Sequence, residues 1–290
     1  MEGIHNVHLV YFSGTGGTKR VAVCLEQAFL HQGCTVMVTE LNVKPSEPVE
    51  ADLTVLLYPV YACNAPVPVD EWIAQAPHGN GAYAAVASVS GGGEISPNTA
   101  CRASVIRKLE AKGYRVRWET MFVMPANFLV PYGDALTAML LRAAPEKAEK
   151  FASDILSGRE RRTKPKWADK LASRLFAVEK KGSARFGKML KAGEACTGCG
   201  FCARNCPRGN IEMRGGKPEF GGKCVICLRC VYGCPAKAIA PGIMKAFVLK
   251  QGFDLDAAEE RTRRLEELPP LSEIAKGFLY KGVLKYLDKP

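Results

Sequence analysis

Eight of the twelve cysteines in this chain are crowded into one segment, and their spacing repeats. The stretch CTGCGFCARNCP contains Cys196, Cys199, Cys202 and Cys206, and the stretch CVICLRCVYGCP contains Cys224, Cys227, Cys230 and Cys234. Both spell C-x2-C-x2-C-x3-C-P, and each cysteine of the second stretch lies 28 residues after its counterpart. The N-terminal residues do not resemble an export signal, and clustered thiols in an intracellular protein bind metal more often than they form disulfides. The repeat therefore predicts a metal centre.

The spacing indicates which centre this is. Three thiolates in C-x2-C-x2-C surround one face of an iron–sulfur cube, and the fourth cysteine, followed by Pro, turns away to complete another. The segment resembles bacterial-type ferredoxins with two [4Fe–4S] clusters. That resemblance implies one cluster on Cys196, Cys199, Cys202 and Cys234, and a second on Cys224, Cys227, Cys230 and Cys206. The alternative is structural zinc, which favours C-x2-C pairs that are well separated in sequence.

The second candidate site is a loop of small and hydroxyl residues that follows the first apolar run. It comprises Ser13, Gly14, Thr15, Gly16, Gly17 and Thr18. A triphosphate loop needs G-x4-G-K-[ST], and a dinucleotide loop needs a third Gly where this chain has Lys19. The pattern [ST]-x-T-G-x-T instead resembles the FMN-phosphate loop of flavodoxins. There, hydroxyls and backbone N–H groups at a helix N-terminus would surround one phosphate. A capped turn without a ligand is the alternative.

Two further loops are expected to approach the same cofactor, because each follows a predicted parallel strand. The third strand leads into Pro59, Val60 and Tyr61, and the fourth leads into Ser90, Gly91, Gly92 and Gly93. Tyr61 is the candidate for stacking on a flavin, with an ordinary half-buried aromatic as the alternative. The glycines would let the backbone approach a flavin edge, with a plain surface loop as the alternative. No residue is assigned a catalytic role, because the four histidines form no metal or triad spacing and Cys63 has no histidine nearby.

Alternating apolar runs and helical periodicities predict the scaffold of these loops. Strands are expected at 7–12, 34–41, 51–60, 82–90 and 116–124, and helices at 19–32, 98–112 and 134–156. Near-continuous apolar strands favour a parallel sheet covered on both faces, so we expect an α/β flavodoxin-like, doubly wound, five-stranded sheet. The expected division is a flavodoxin-like domain at 1–158, a basic helical connector at 159–190, a small α+β ferredoxin-like domain at 191–242 and a helical tail at 243–290. Helical runs are expected in the tail at 255–268 and 272–287, and an apolar stripe of Ile274, Phe278, Val283 and Leu287 is expected to pack between domains.

The charge is concentrated in the connector. The chain has 290 residues and a formal charge of +11, while residues 159–190 hold eleven Lys and Arg against three acidic residues. Trp167, Leu171, Leu175 and Val178 form an apolar stripe. We expect this stripe to pack between the domains while the cations remain in water. Docking of an acidic redox partner is an alternative, whereas nucleic-acid binding and peripheral membrane contact are not expected. No apolar run reaches the roughly 18 residues of a membrane span, so a cytoplasmic location is expected.

Together, the two motif-bearing regions resemble the flavodoxin–ferredoxin fusion proteins of anaerobic bacteria and archaea. The resemblance implies FMN, two [4Fe–4S] clusters and electron transfer between them, which couples one-electron carriers to two-electron flavin chemistry. It also implies a redox partner protein. The alternative is a flavin reductase of a small organic acceptor, with an open pocket bounded by Tyr61 and the loop at 125–134.

Overall fold

A five-stranded parallel sheet forms the N-terminal half of the chain in a computed structural model, which describes residues 3–43 and 49–288. Residues 1–2 and 44–48 of the expected sheet domain and residues 289–290 of the expected tail lie outside the described residues. The strand order is β2-β1-β3-β4-β5. The strands are β1 (Asn6–Tyr11), β2 (Thr35–Glu40), β3 (Leu53–Pro59), β4 (Tyr83–Ser90) and β5 (Arg115–Val123). This order is that of the flavodoxin-like doubly wound fold, so the predicted fold class is confirmed.

Helices cover both faces of this sheet. They are α1 (Gly17–His31), α2 (Val67–Gln75), α3 (Ala103–Ala111) and α4 (Asp134–Leu156). Helices α1 and α4 pack on one face, where Leu25 and Phe151 join the core, and α2 and α3 pack on the other through Ile73 and Leu109. Strand β3 is buried on both faces, because it lies inside the sheet and under both helical layers. The predicted helix at 98–112 is divided: a 3-10 turn (Asn98–Ala100) precedes α3.

The cysteine segment folds into short strands and single-turn helices that are connected by turns. Its strands are β6 (Lys191–Ala192), β7 (Ile211–Arg214), β8 (Lys217–Phe220) and β9 (Ile239–Ala240). Strands β7 and β8 form a hairpin, and β6 pairs antiparallel with β9. Two single-turn helices, α7 (Phe201–Arg204) and α8 (Arg229–Tyr232), follow the left-handed residues Gly200 and Leu228. The second half of each cysteine motif therefore begins on one helical turn.

The tail is less regular than its periodicity predicts. The predicted helix at 255–268 ends early, as α9 (Leu255–Arg263), and the predicted helix at 272–287 is broken. Its parts are α10 (Leu271–Ile274), a 3-10 turn (Phe278–Tyr280) and α11 (Lys281–Leu287). Gly277, with φ 97°, separates α10 from the 3-10 turn. Val283 is fully buried against the sheet domain, whereas Phe278 is 75% exposed, so only part of the tail's apolar stripe packs. None of the helices in the described ranges is both long and apolar enough to cross a bilayer.

The connector contradicts the expected packing of its apolar stripe. It forms α5 (Trp167–Phe176) and α6 (Glu179–Met189). Along the stripe, Trp167 is 77% exposed and Leu175 is 65% exposed, whereas the buried positions of α5 are Asp169 and Ser173. Hydrogen bonds explain this reversal, because the polar face of α5 binds two loops of the sheet domain. Asp169 accepts from Ser96 and Thr99 after β4, and the Ser173 hydroxyl donates to the Asn64 side chain after β3. The helix therefore turns its polar face inward.

Candidate functional site

A cleft opens at the carboxyl edge of the sheet, where β1, β3, β4 and β5 end. It encloses a cavity of about 160 Å³. The three predicted loops contribute Gly14, Thr15, Gly17, Thr18, Pro59, Val60, Tyr61, Ser90 and Gly91 to its lining. Four other predicted residues do not line it: Ser13, Gly16, Gly92 and Gly93. The sequence thus brings three separate loops to one cleft.

The 13–18 loop connects β1 to the N-terminus of α1. Gly16 has φ 98°, a left-handed conformation that suits Gly, and it directly precedes the helix. The Ser13 hydroxyl accepts a 3.3 Å hydrogen bond from the backbone N–H of Lys19 and therefore stabilises the turn between β1 and α1. Thr15 and Thr18 line the cleft, and the first turn of α1 contains no acidic residue. Hydroxyls and the positive end of a 15-residue helix therefore face the same space, which suits an anion.

Gly14 marks a close approach between the sheet domain and the cysteine segment. A Cβ atom at Gly14 would lie 2.5 Å from the Tyr61 hydroxyl and 3.0 Å from the Cys227 carbonyl oxygen. Any larger residue would push one of these groups away. Gly14 is therefore required by contact between domains, in addition to any contact with a ligand.

The 59–62 loop is held in a tight conformation by its own backbone. Tyr61 and Asn64 exchange two backbone hydrogen bonds of 2.9 Å, and Ala62 and Cys63 have φ of 42° and 56°. The Asn64 side-chain amide also donates to the backbone carbonyl of Ser173 in α5 and accepts from the Ser173 hydroxyl. These bonds fix Tyr61 at the wall of the cleft, where its ring can contact a planar ligand.

The glycines of the 90–93 loop have two different roles. Gly91 lines the cleft, and its carbonyl oxygen accepts a hydrogen bond from the Tyr132 hydroxyl. Gly93 has φ 77°, and a Cβ atom there would lie 2.6 Å from the backbone of Gly282 in α11. The last glycine of the run therefore serves packing against the tail, which the sequence pattern did not indicate.

The eight motif cysteines line two separate cavities, four in each. Cys196, Cys199, Cys202 and Cys234 line the one that we call the outer cysteine cavity. Cys206, Cys224, Cys227 and Cys230 line the one that we call the inner cysteine cavity. Each cavity thus combines three cysteines of one motif with the fourth cysteine of the other. Apolar side chains also line both cavities: Phe201 and Ile239 line the outer cysteine cavity, and Val225 and Leu228 line the inner cysteine cavity.

Burial disfavours the thiolate forms of Cys227 and Cys230 in the inner cavity. Burial raises the pKa of the Cys227 thiol to about 11, and the nearby thiol of Cys224 contributes to the rise. Burial also raises the pKa of Cys230. Cys199 in the outer cavity is exposed, and the backbone N–H of Phe201 lowers its pKa. Bound metal would favour the thiolate forms in both cavities. Within residues 3–43 and 49–288, no three His, Cys, Asp or Glu side chains converge as ligands of a single metal ion.

Several residues that line the cleft lie outside the three loops that the sequence predicted for it. They include Asn127, whose amide donates to the Thr15 hydroxyl over 2.7 Å, and Phe128 in the same Pro-rich loop. Ile226 and Leu228 from the second cysteine motif and Met244 and Phe253 from the tail also line it. Only the 125–134 loop had a sequence signal, namely its position after a strand. The others reach the cleft through the packing of the cysteine segment and the tail on the sheet domain.

No protein-family model matches this chain, and no curated protein matches it. Among solved structures, an archaeal flavodoxin is 16% identical and aligns with 52% of this chain and 98% of its own, at a TM-score of 0.37. The flavodoxin of Streptococcus pneumonia TIGR4 is 18% identical and aligns with 53% of this chain and 99% of its own, at a TM-score of 0.41. Rubredoxin oxygen:oxidoreductase from Desulfovibrio gigas is 16% identical and aligns with 53% of this chain and 35% of its own, at a TM-score of 0.38.

Proposed function

We propose that this chain is an iron–sulfur flavoprotein that transfers electrons between two [4Fe–4S] clusters and FMN. The observation that carries the proposal is the contact between two sites of different chemistry. A cleft with a phosphate-type loop touches a cavity lined by four cysteines, and Leu228 lines both. Two redox groups held on either side of one side chain would lie within electron-transfer distance.

The cleft residues fit FMN in three parts. Thr15, Thr18 and the N–H groups at the start of α1 would bind the terminal phosphate, and Tyr61 would contact the ring system. The backbone at Ser90 and Gly91 would lie along the polar edge of the flavin. Asn127 would hold the Thr15 hydroxyl in position for the phosphate.

The cysteine cavities fit the two clusters. A [4Fe–4S] cluster takes four Cys thiolates, and each cavity offers four in an apolar surround, arranged three and one between the motifs. This arrangement supports the same ligand sets that the ferredoxin resemblance implies. Zinc, the alternative, is distinguished by metal analysis.

The two cysteine cavities lie at different depths in the protein, which suggests an order of electron transfer. Cys227 in the inner cavity packs against Gly14 beside the cleft, whereas Cys199 in the outer cavity is exposed. The outer cavity would therefore exchange electrons with a partner, and the inner cavity with the cleft. The carbonyl of Cys199 accepts a 2.8 Å hydrogen bond from Arg204, so the exposed side carries a cation that would favour an acidic redox partner.

The bound groups would supply the redox chemistry, since clusters carry one electron at a time and FMN carries one or two. The chain's own residues bind and orient these groups and exclude water. No acid–base residue is needed for transfer between carriers. A cytoplasmic location remains part of this proposal.

A small organic acceptor is the second candidate, and one observation favours it. The cleft is also lined, outside the three predicted loops, by the apolar side chains of Phe128, Met244 and Phe253. Such side chains would accommodate an apolar acceptor beside a flavin. Turnover of the reduced protein with small quinones, in the absence of carrier proteins, would favour this alternative.

Metal and flavin content test the proposal. Anaerobically purified protein is expected to contain FMN near one per chain and about eight iron and eight sulfide per chain. Zinc in place of iron would overturn the cluster assignment, and protein that neither contains nor takes up FMN would overturn the flavin assignment.

A further inference from the structure

The two cysteine motifs repeat in backbone conformation as well as in sequence. The first motif has left-handed residues at Gly198 and Gly200, with φ of 71° and 70°. The second motif has left-handed residues 28 positions later, at Ile226 and Leu228, with φ of 55° and 60°. The same turn is therefore made by Gly in one motif and by large apolar residues in the other.

Ile226 and Leu228 occupy a conformation that L side chains rarely adopt. A β-branched residue such as Ile with a positive φ is an outlier, because its Cβ substituents crowd the backbone. Gly would make this turn without strain, as it does in the first motif. Backbone strain of this kind persists where the surroundings impose it, and it is concentrated at functional sites.

The surroundings of the two motifs explain why they differ. At Gly198, a Cβ atom would lie 2.7 Å from the backbone oxygen of Gly216, so no side chain fits. At the equivalent positions of the second motif, the side chains line the cleft, and one of them also lines the inner cysteine cavity. Ile226 lines the cleft, and Leu228 lines both the cleft and the cavity while remaining only 4% exposed.

We propose that Ile226 and Leu228 form an apolar wall that excludes water between the inner cluster and the flavin, and thereby set the potential of the inner cluster. They are positioning residues, because they shape the space around both groups without ligating either. The inference rests on the proposed function, since it requires both groups to be bound. Cys227, between the two residues in sequence, is a ligand of the cluster that they shield.

The physical effect of the wall follows from charge. Reduction adds negative charge to a cluster that is already anionic through its thiolates, and water stabilises the added charge. An apolar shell therefore keeps the cluster potential low, whereas access to water raises it. The outer cluster has Gly at both equivalent positions and an exposed ligand, Cys199, so the potentials of the two clusters are expected to differ.

The test is an anaerobic redox titration of the full-length holoprotein, followed by EPR, on variants that restore the residue of the first motif. Leu228→Gly and the double variant Ile226→Gly/Leu228→Gly are expected to retain iron and flavin. In both variants the reduction potential of one cluster should rise by at least about 59 mV. For a one-electron couple, this corresponds to a change of about tenfold in the oxidised-to-reduced ratio at a fixed solution potential. The other cluster should not shift. Leu228→Met, which conserves volume, should keep the wild-type potential.

A matched control separates the wall from general packing. Val231 lines the inner cysteine cavity but not the cleft, so Val231→Ala removes apolar volume from the same cavity without opening the wall. If Val231→Ala shifts the potential as much as Leu228→Gly, the wall has no special role and the inference is wrong. If variants with full iron and flavin content show unchanged potentials, the inference fails while the proposed function stands. Wild-type protein that lacks clusters or flavin would instead overturn the proposed function itself.

Discussion

Arg229 joins the cysteine segment to Gly14 of the 13–18 loop. Its Nε donates a 2.7 Å hydrogen bond to the carbonyl oxygen of Gly14, and its Nη2 donates another of 2.7 Å to the carbonyl oxygen of Ser13. Nη2 also lies 3.3 Å from a carboxylate oxygen of Glu40. Arg229 is located between two cysteines of the inner cavity, Cys227 and Cys230. The guanidinium therefore fixes the inner cavity against the cleft.

Removing this guanidinium should loosen the contact between the domains. Arg229→Met keeps the aliphatic stem but removes both donors, and it is expected to lower the free energy of unfolding by about 2 kcal/mol. Arg229→Lys can replace one donor and should recover part of the loss. Urea unfolding of anaerobic holoprotein, with iron content as a control, measures both. Equal stabilities for the Arg229→Met and Arg229→Lys variants would contradict the two-bond geometry.

The hydroxyls in the cleft should contribute to binding of FMN through its phosphate. Thr15→Val and Thr18→Val are each expected to weaken FMN binding about tenfold or more, as loss of a hydrogen bond to a charged group does. Ser13→Ala is the control, because Ser13 supports the loop without lining the cleft. Affinity is measured by flavin fluorescence on the apoflavin protein. Riboflavin binding should change little, and an equal loss for riboflavin would show that the hydroxyls do not contact the phosphate.

The partition of cysteines between the cavities predicts paired losses of iron. Cys206→Ser should behave like Cys224→Ser, although the two residues belong to different motifs, because both line the inner cavity. Each is expected to lose one cluster, about half of the iron. The double variant Cys206→Ser/Cys224→Ser should lose no more than either single variant, whereas Cys202→Ser/Cys206→Ser should lose both clusters. Additive loss from Cys206 and Cys224 would contradict this partition.

In helix α5, substitution of a polar residue should destabilise the protein more than substitution of an apolar one. Leu175 is 65% exposed, so Leu175→Ser is expected to change the free energy of unfolding by less than about 0.5 kcal/mol. Asp169→Ala removes the acceptor for two hydroxyls and should cost about 1–3 kcal/mol. Chemical unfolding compares the two variants directly. A larger loss for Leu175→Ser would mean that the apolar stripe packs inward after all.

Asp169 should also make stability depend on pH. Hydrogen bonds from Ser96 and Thr99 lower its pKa below the ordinary carboxyl value. The stabilisation is therefore fully present above about pH 4, near the unfolded pKa, and it is lost as the pH falls through the lower folded pKa. The difference in unfolding free energy between wild type and Asp169→Asn should shrink as the pH falls toward this range. A difference that grows on acidification would contradict the assigned direction.

The sequence predicted the parts that depend on local patterns. Strand and helix periodicities predicted the five-stranded sheet and α4, and the position of loops after strands predicted that Tyr61 and Gly91 would face one space. The inward polar face of α5 was not predictable in this way, because it depends on partners such as Ser96 that are distant in sequence. The contribution of Leu228 to the cleft likewise depends on how the cysteine segment packs on the sheet domain.

Anaerobic redox titration of the intact chain, with optical and EPR detection, is the most direct test of the central claim. The account predicts one flavin and two distinct [4Fe–4S] signals per chain, with magnetic interaction between the flavin and one of the clusters, the one on Cys206, Cys224, Cys227 and Cys230. A single cluster, a zinc-containing protein without these signals, or a flavin that interacts only with the cluster on Cys196, Cys199, Cys202 and Cys234 would contradict it.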